Sequence, residues 1–412
     1  MKFQLSRRQL LEVLTPIQAI IPARTTLPIL HNLKLTAEKG KLLFEATDLD
    51  VCLSRSVGAT VRSEGSLLVP AKRLYDVVRE LPDLEVKVEQ TDLTLVVACE
   101  RSVFKLPAIN TEDYPKVPEP AEGDSVKKVR LGVSSLLRAV DKVSFAISTD
   151  ENRPVLCGLL WQLSEDGMRL VATDGHRLAL MWSGFGNSSV RESARGSRER
   201  ISEKEEAGHY AGDEGVTQVI VPQKALHLLD LVLKPYSGGE SEIEVDVFFG
   251  ESRLGFDLSL PRAGESGNDE SVYLSCGLIS GVYPEYRSVL PKDNDRIVRV
   301  GKDDVARALR RVAIFSDPYS HLVKLSIEPE RMSLSASSPQ SGEAYDEIEC
   351  EYVGDGFEIG YNAHYLLEIV KRIDDEEIKM ELKSPVDAGI FVPHQQREHE
   401  ELVYLLMPIR LG

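Results

Sequence analysis

The chain is expected to form an α+β fold of three similar domains, each a duplicated strand-helix-strands unit. Two patterns carry this expectation. A strand running into an amphipathic helix occurs six times: KFQLSRRQLLEVL from Lys2, SLLVPAKRLYDVV from Ser66, VRLGVSSLLRAV from Val129, QVIVPQKALHLLDLV from Gln218, VRVGKDDVARAL from Val298 and FEIGYNAHYLLEIV from Phe357. Between these units apolar and polar residues alternate, as in LEVKV (Leu84 to Val88), TLVVA (Thr94 to Ala98), IEVDV (Ile243 to Val247) and IKMEL (Ile378 to Leu382). That period belongs to antiparallel strands with one face on a core and one in water. A single unit leaves an apolar face uncovered, so the repetition implies units packed on one another.

At 412 residues the chain exceeds one hydrophobic core, and the repeat divides it into 1–124, 125–295 and 296–412. The first boundary lies in VPEPAEGDS, around Glu119 to Asp124, and the second in LPKDND, Leu290 to Asp295, where Pro, Gly or acidic residues break the patterning. Two stretches of the middle third depart from the repeat. Gly186 to Gly215 is polar, Gly/Ser-rich and charged with both signs, and Ala263 to Ser271 has the same character, so both are expected to be mobile insertions. The longer one also admits a reading as a partner-docking tail.

Hydrophobic residues make up 42% of the chain and charged residues 28%, and no apolar run reaches the roughly 18 residues of a membrane span. The opening MKFQLSRRQL passes directly into strand and helix patterning, without the layout of a signal peptide. Cys52, Cys99, Cys157, Cys276 and Cys350 are scattered singly. They are expected to be reduced, mostly buried thiols of a soluble cytoplasmic protein, with neither disulfides nor zinc.

A net charge of −17 disfavours nucleic acid if it is evenly spread. The six predicted helices, however, carry about +6 together, which leaves about −23 on everything else. One explanation is that Lys and Arg are good helix formers in any protein. The other is a common phosphate-facing side, for which Lys72, Arg73, Arg138, Lys142, Lys224, Arg307, Arg310 and Arg311 are the candidates. Charge alone does not separate the two.

VATDGHRLAL, Val171 to Leu180, sets Asp174 and His176 beside Gly175. Catalysis there would need a nucleophile or substrate group within reach of His176, and no G-x-S-x-G or H-E-x-x-H pattern occurs. The eight histidines are too dispersed for a metal site, and neither a P-loop nor a dinucleotide fingerprint is present. No catalytic residue, metal or cofactor is therefore expected. Thr173 to Gly175 should make a tight turn, with Asp174 bonding local backbone and Gly175 at positive φ. The terminus YLLMPIRLG, Tyr404 to Gly412, is apolar, and Pro408 keeps it from continuing a central strand. It reads either as an edge strand with a loose tail or as a wall of a groove for short peptides. The VATDGHRLAL turn and the MPIRL tail have no counterparts in the other units, so partner recognition is expected there.

ARTTLPILHNL (Ala23 to Leu33), VATDGHRLAL, VYPEYRSVLP (Val282 to Pro291) and MPIRL (Met407 to Leu411), in this order within the sixfold repeat, resemble the bacterial sliding clamp, the β subunit of DNA polymerase III. The resemblance covers nearly the whole chain apart from the two insertions. It implies a ring-forming clamp fold, with helices facing a central hole and antiparallel sheets outside, closed by two chains head to tail around duplex DNA. It implies a non-enzymatic processivity factor whose partners are the polymerase III catalytic subunit, a clamp loader, and other polymerases and repair factors carrying clamp-binding peptides. Arg24 joins the DNA-facing candidates by the same resemblance.

The resemblance also implies a peptide pocket between the second and third domains, formed by Leu156, Thr173, Gly175, His176, Arg177, Leu178, Pro284, Val289, Asn362, Tyr365 and Val386 and closed by Met407, Pro408, Ile409, Arg410 and Leu411. Ser288, Ala388 and Gly412 depart from the family pattern around it. Ring closure would set Arg101, Phe104, Lys105 and Leu106 against Ile314, Phe315, Tyr319, Glu343, Asp346 and Glu347 of the other chain. Without the family, the same edge residues describe a charged strand that resists aggregation, and the chain a monomeric peptide-binding scaffold.

Overall fold

One motif is built six times: a lead strand, a helix and a three-stranded antiparallel meander. The computed structural model describes residues 1–118, 126–185, 216–238, 242–260 and 270–411. The insertion expected at 186–215, most of that at 263–271, the first linker from Glu119 and the terminal Gly412 lie outside the described residues. The helices are α1 (Arg7–Ile20), α2 (Ala71–Glu80), α3 (Val133–Ser144), α4 (Gln223–Leu233), α5 (Lys302–Val312) and α6 (Ala363–Arg372). Lys234 falls beyond α4 while Lys302 opens α5, so the helices keep a total charge of about +6.

The two halves of each third exchange their lead strands. Lys2–Ser6 pairs with Glu85–Thr91 of the second half, and Gly65–Pro70 pairs back with Asn32–Glu38 of the first. The same exchange joins Lys127–Gly132 to Glu244–Phe249, Arg296–Gly301 to Glu377–Leu382, and Phe357–Asn362 to Leu322–Glu328. Strands alternate buried and half-exposed residues, as the sequence pattern requires, and each helix lays one apolar face on the sheets. On α5 that face is Val305, Ala306, Ala308, Leu309 and Val312.

Helix α1 continues beyond Leu14, where the repeated segment stops, and accommodates Pro16. Proline has no N–H for the Glu12 carbonyl. Arg55, 3% exposed, supplies the missing donor from a neighbouring strand through a 3.1 Å bond to the Glu12 carbonyl, and it pairs with the Glu12 carboxylate at 2.6 Å.

Contacts divide the chain into two compact units, Met1–Leu137 with Val221–Leu278, and Arg138–Ile220 with Ile279–Gly412. The division runs through the middle third because each of its halves is sewn into a different sheet. In the first unit Glu270–Gly277 pairs with Val51–Gly58, producing an eight-stranded sheet. In the second, Arg177–Gly184 pairs with Glu400–Leu406, producing a nine-stranded one. Both junctions obey one rule: the last meander strand of a first half meets, antiparallel, the last meander strand of the next third's second half. The register is also shared, with Val51 opposite Cys276 and Arg177 opposite Leu406. A lysine reinforces each junction at a helix carbonyl end, Lys224 on Ile20 O at 2.9 Å and Lys142 on Arg372 O at 2.6 Å. The two remaining last meander strands, Ser102–Pro107 and Gly342–Glu349, end their sheets with one neighbour each.

Arg55→Met should destabilise the protein by about 1–3 kcal/mol, since it strands the Glu12 carbonyl, whereas the Glu12 carboxylate is exposed and returns to water. In a Pro16→Ala background the cost should shrink by about 1 kcal/mol, because the restored backbone N–H serves that carbonyl. Chemical denaturation of the four proteins checks this, and strict additivity would count against it.

Candidate functional site

The turn after Thr173 is fixed by two side chains. Thr173 Oγ1 accepts from the Gly175 N–H at 3.1 Å and donates to Arg177 O at 2.7 Å, while Asp174 Oδ1 accepts from the N–H groups of His176 (2.9 Å) and Arg177 (3.0 Å). Gly175 sits at φ +93°, as expected of this turn. The expectation that the turn has no counterpart is overturned. In the first third, Thr47 accepts from Leu49 N–H and donates to Val51 O, Asp48 accepts from Asp50 and Val51 N–H, and Leu49 stands at φ +83°. Ala-Thr-Asp at the same spacing builds both turns, although the residues that follow, Leu49-Asp50-Val51 and Gly175-His176-Arg177, differ.

The tail likewise has counterparts. The Ile409 N–H bonds Gly360 O at 2.8 Å, as Ile279 bonds Ile220 at 2.9 Å and Ile109 bonds Leu68 at 3.1 Å. Each acceptor lies three residues before a helix. The sequence hides the equivalence because the residues around the isoleucine change. What is particular to the second unit is the combination that surrounds its turn.

Within that unit Leu156 and Leu178 belong to a buried apolar cluster with Leu160, Val171, Leu180, Ile220, Tyr283, Tyr286, Ile390 and Leu405, and Ala388 packs against it. The sequence reading missed the two tyrosines, although a Tyr-Pro pair recurs as Tyr114-Pro115 and Tyr283-Pro284. Tyr283 Oη accepts from the Thr173 N–H at 3.1 Å and thereby ties the interdomain segment to the turn. Val289, Val386 and Met407 stand 53%, 56% and 42% exposed. Met407 N–H donates to His176 O at 2.9 Å, which fastens the tail to the turn. The His176 ring stacks on Tyr365 at 6.5 Å, and Asn362 caps α6 by accepting from the His364 and Tyr365 N–H groups. Ser288 closes its own short helix on Glu285 O. Pro284 and Arg410 are exposed, while Pro408, Ile409 and Leu411 are half-buried.

Asp174 offers nothing to a catalytic reading, because its second carboxylate oxygen takes Arg177 Nε at 3.0 Å. Among the described residues no three His, Cys, Asp or Glu side chains gather as metal ligands. All five cysteines are free, and only Cys157 is not buried.

The phosphate-facing candidates divide into two groups. Arg24, Lys72, Arg73 and Arg310 are exposed, and no hydrogen bond or ion pair engages their side chains among the described residues. Arg8 and Lys371, outside the original candidates, are equally free. Arg138 and Lys142 require correction. Lys142 is 5% exposed and holds Asp374, while Arg138 holds Asp374 and, at 2.9 Å, Glu400. Their charge is neutralised inside the unit by acids that a helix-by-helix count leaves out. Lys224 is likewise tied to Asp48, Arg307 to Asp304 and Arg311 to Asp346.

At the open sheet edges, Val103 and Phe104 are 58% and 37% exposed, and Ile314, Tyr319 and Tyr345 are 71%, 91% and 66% exposed. Arg101, Lys105, Glu343 and Glu347 are exposed beside them, and Phe315 is half-buried. Leu106 departs from expectation: at 6% exposure it faces its own core. Asp346 is half-buried and already bound by Arg311.

The chain matches the family models of the DNA polymerase III beta subunit, with the N-terminal domain at residues 1–118, the central domain at 130–194 and the C-terminal domain at 287–410. It is 32% identical to the beta sliding clamp of Caulobacter vibrioides and 28% identical to that of Pseudomonas aeruginosa, with 100% of both chains covered in each case. Among solved structures it is similar to a DnaN sliding clamp from Bartonella birtlesii bound to griselimycin (29% identity, TM-score 0.83) and to the C. crescentus beta sliding clamp with PEG bound to a putative beta-motif tethering region (32%, TM-score 0.80), with 100% of each chain covered. Fold and matches together define a clamp-class replication protein of duplicated α+β domains. The chain belongs to the DNA polymerase III beta subunit family, the beta sliding clamps. The family supplies a processivity subunit without a catalytic site of its own.

Burial would raise the Asp374 carboxyl, but hydrogen bonds and charge from Lys142 and Arg138 outweigh it and hold the group down at about 2. Its unfolded value is about 3.9, so its stabilising contribution is complete above that pH and is lost as pH falls toward 2. Asp374→Asn should cost about 2 kcal/mol at pH 7, less than a fully buried pair because Asp374 still meets solvent. Denaturation from pH 7 to pH 2 should show the deficit narrowing below about pH 4. A deficit that stays constant throughout that range would contradict the assignment.

Proposed function

We propose that two chains join head to tail into a closed ring that encircles duplex DNA without reading its sequence, slides along it, and tethers polymerases and repair factors through the apolar surface around the Thr173 turn. The observation that carries this reading is the junction rule. First third to second third, and second to third, the last strand of a first half meets the last strand of the following second half. Applied once more, the rule joins Gly342–Glu349 of one chain to Ser102–Pro107 of another, the two strands left with an open side. The internal register carries over through the isoleucine bonds and the hairpin pairing, and it sets Leu106 opposite Gly342. Lys105 then falls opposite Glu343 and Arg101 opposite Glu347, so each basic residue meets a carboxylate. On this reading 1–124, 125–295 and 296–412 are the three repeating domains of the ring.

Arg8, Arg24, Lys72, Arg73, Arg310 and Lys371 are exposed, unpaired cations available to phosphates. Backbone contacts position DNA without specifying sequence, and a ring needs little affinity because it is retained by topology. Exposed Val289, Val386 and Met407, the last fastened to His176, together with the polar groups of His176, Asn362 and Arg410 would suit a short peptide carrying a Gln and Leu or Phe anchors. Polymerase III catalytic subunit, clamp loader, other polymerases and repair factors are the partners this implies. The ligands named with the two related structures favour a binding surface on this family.

Light scattering should return about twice the 45.8 kDa chain mass. Phe104→Asp, which adds a carboxylate opposite a glutamate-rich strand, should return the single-chain mass with stability changed by no more than about 0.5 kcal/mol. Protein loaded on a nicked circular plasmid should be retained and then lost when the plasmid is linearised. Retention unchanged by linearisation would sink the ring, and a wild-type monomer at working concentration would favour the peptide-binding scaffold.

A further inference from the structure

We infer that Arg177 is a positioning residue for the peptide surface, holding the aromatic wall His176–Tyr365 against α6 without touching the peptide; this rests on the peptide-tether reading above. Arg177 is 8% exposed, and each guanidinium nitrogen is engaged. Nε donates to Asp174 Oδ2 at 3.0 Å, one terminal nitrogen binds the Glu368 carboxylate, and the other donates to Phe145 O at 2.8 Å. The guanidinium carbon lies 4.3 Å from the Tyr365 ring centroid and 5.1 Å from that of Phe145. Tyr365 is thus backed by Arg177 and stacked by the His176 ring.

The first third provides an internal control. Its turn closes with the same Thr and Asp hydrogen bonds while Val51 occupies the position equivalent to Arg177. An arginine is therefore not required to fold this turn. In that copy the outer oxygen of Asp48 takes Lys224 instead. What Arg177 adds is the reach to Glu368, Phe145 and Tyr365, which belong to the second unit alone. A planar fork can serve three acceptors and an aromatic face together, whereas a lysine ammonium is one point charge on a flexible stem.

The test uses the full chain and fluorescein-labelled peptides carrying a Gln and a Leu-Phe pair, with and without an Asp between them. Arg177→Gln should weaken both peptides by the same factor, about tenfold. Arg177→Lys should fail to restore binding. Without peptide, hydrogen exchange across 173–178 and 363–366 should quicken in Arg177→Gln and less so in Glu368→Gln, which leaves Arg177 paired with Asp174 and guards against a folding failure of the first variant. Loss confined to the Asp-bearing peptide would overturn the proposal in favour of direct contact. Restoration by lysine would overturn it in favour of a simple charge. Unchanged exchange would remove the positioning role. If the wild type binds neither peptide, the tether reading fails, and the exchange result then decides separately whether Arg177 holds the wall.

Discussion

Backbone pairing between last meander strands is the interaction on which the architecture depends. An open strand edge presents unpaired N–H and C=O groups that seek a partner, and duplicated meanders generate one such edge per half. The chain closes four of its six, through Val51–Gly58 with Glu270–Gly277 and Arg177–Gly184 with Glu400–Leu406. Because each closure crosses a repeat boundary, the thirds of the sequence are not the packing units of the structure. The two edges left open carry opposite charge and exposed apolar residues, the features on which the proposed closure rests.

Electrostatics divides between structure and function according to which cations already have partners. Lys142 and Lys224 sit at the carbonyl ends of helices and each holds an aspartate, so they strengthen junctions. The cost of burying Lys142 is offset only because Asp374 and a helix terminus receive it together. Arg8, Arg24, Lys72, Arg73, Arg310 and Lys371 have no such partner among the described residues and are exposed, which leaves their charge free. A basic helix count therefore overstates the available charge, and burial with pairing identifies the part that is free.

Six lead strands and helices were legible because periodicity of 3.6 and 2 states which face is buried, and all six occur where the pattern sets them. The end of α1 was not, since the partner that makes Pro16 tolerable, Arg55, lies about forty residues away in sequence. The two Thr-Asp turns looked unrelated because DGHR and DLDV share only the aspartate, whereas the hydrogen bonds depend on Thr and Asp alone. Leu106 was grouped with Phe104 because strand alternation sets the two on one face, yet Phe104 is exposed at the edge while Leu106, next to the strand end, is buried. The role of Arg177 was hidden for a similar reason: composition shows a cation in a polar turn, and only its partners on α6 and at Phe145 reveal that it faces inward.

The junction rule fixes a register, and a cross-link measures it most directly. Directly opposed residues on antiparallel strands have Cα atoms about 4.5–5.5 Å apart, within the span of a disulfide. With Phe104→Cys and Ala344→Cys in one chain, mild oxidation should give a denatured species of doubled mass and no longer ladder. Phe104→Cys with Asp346→Cys, shifted by two residues, should not cross-link. A ladder, a preference for the shifted pair, or no cross-link in either protein would contradict closure by the pairing that the chain uses internally.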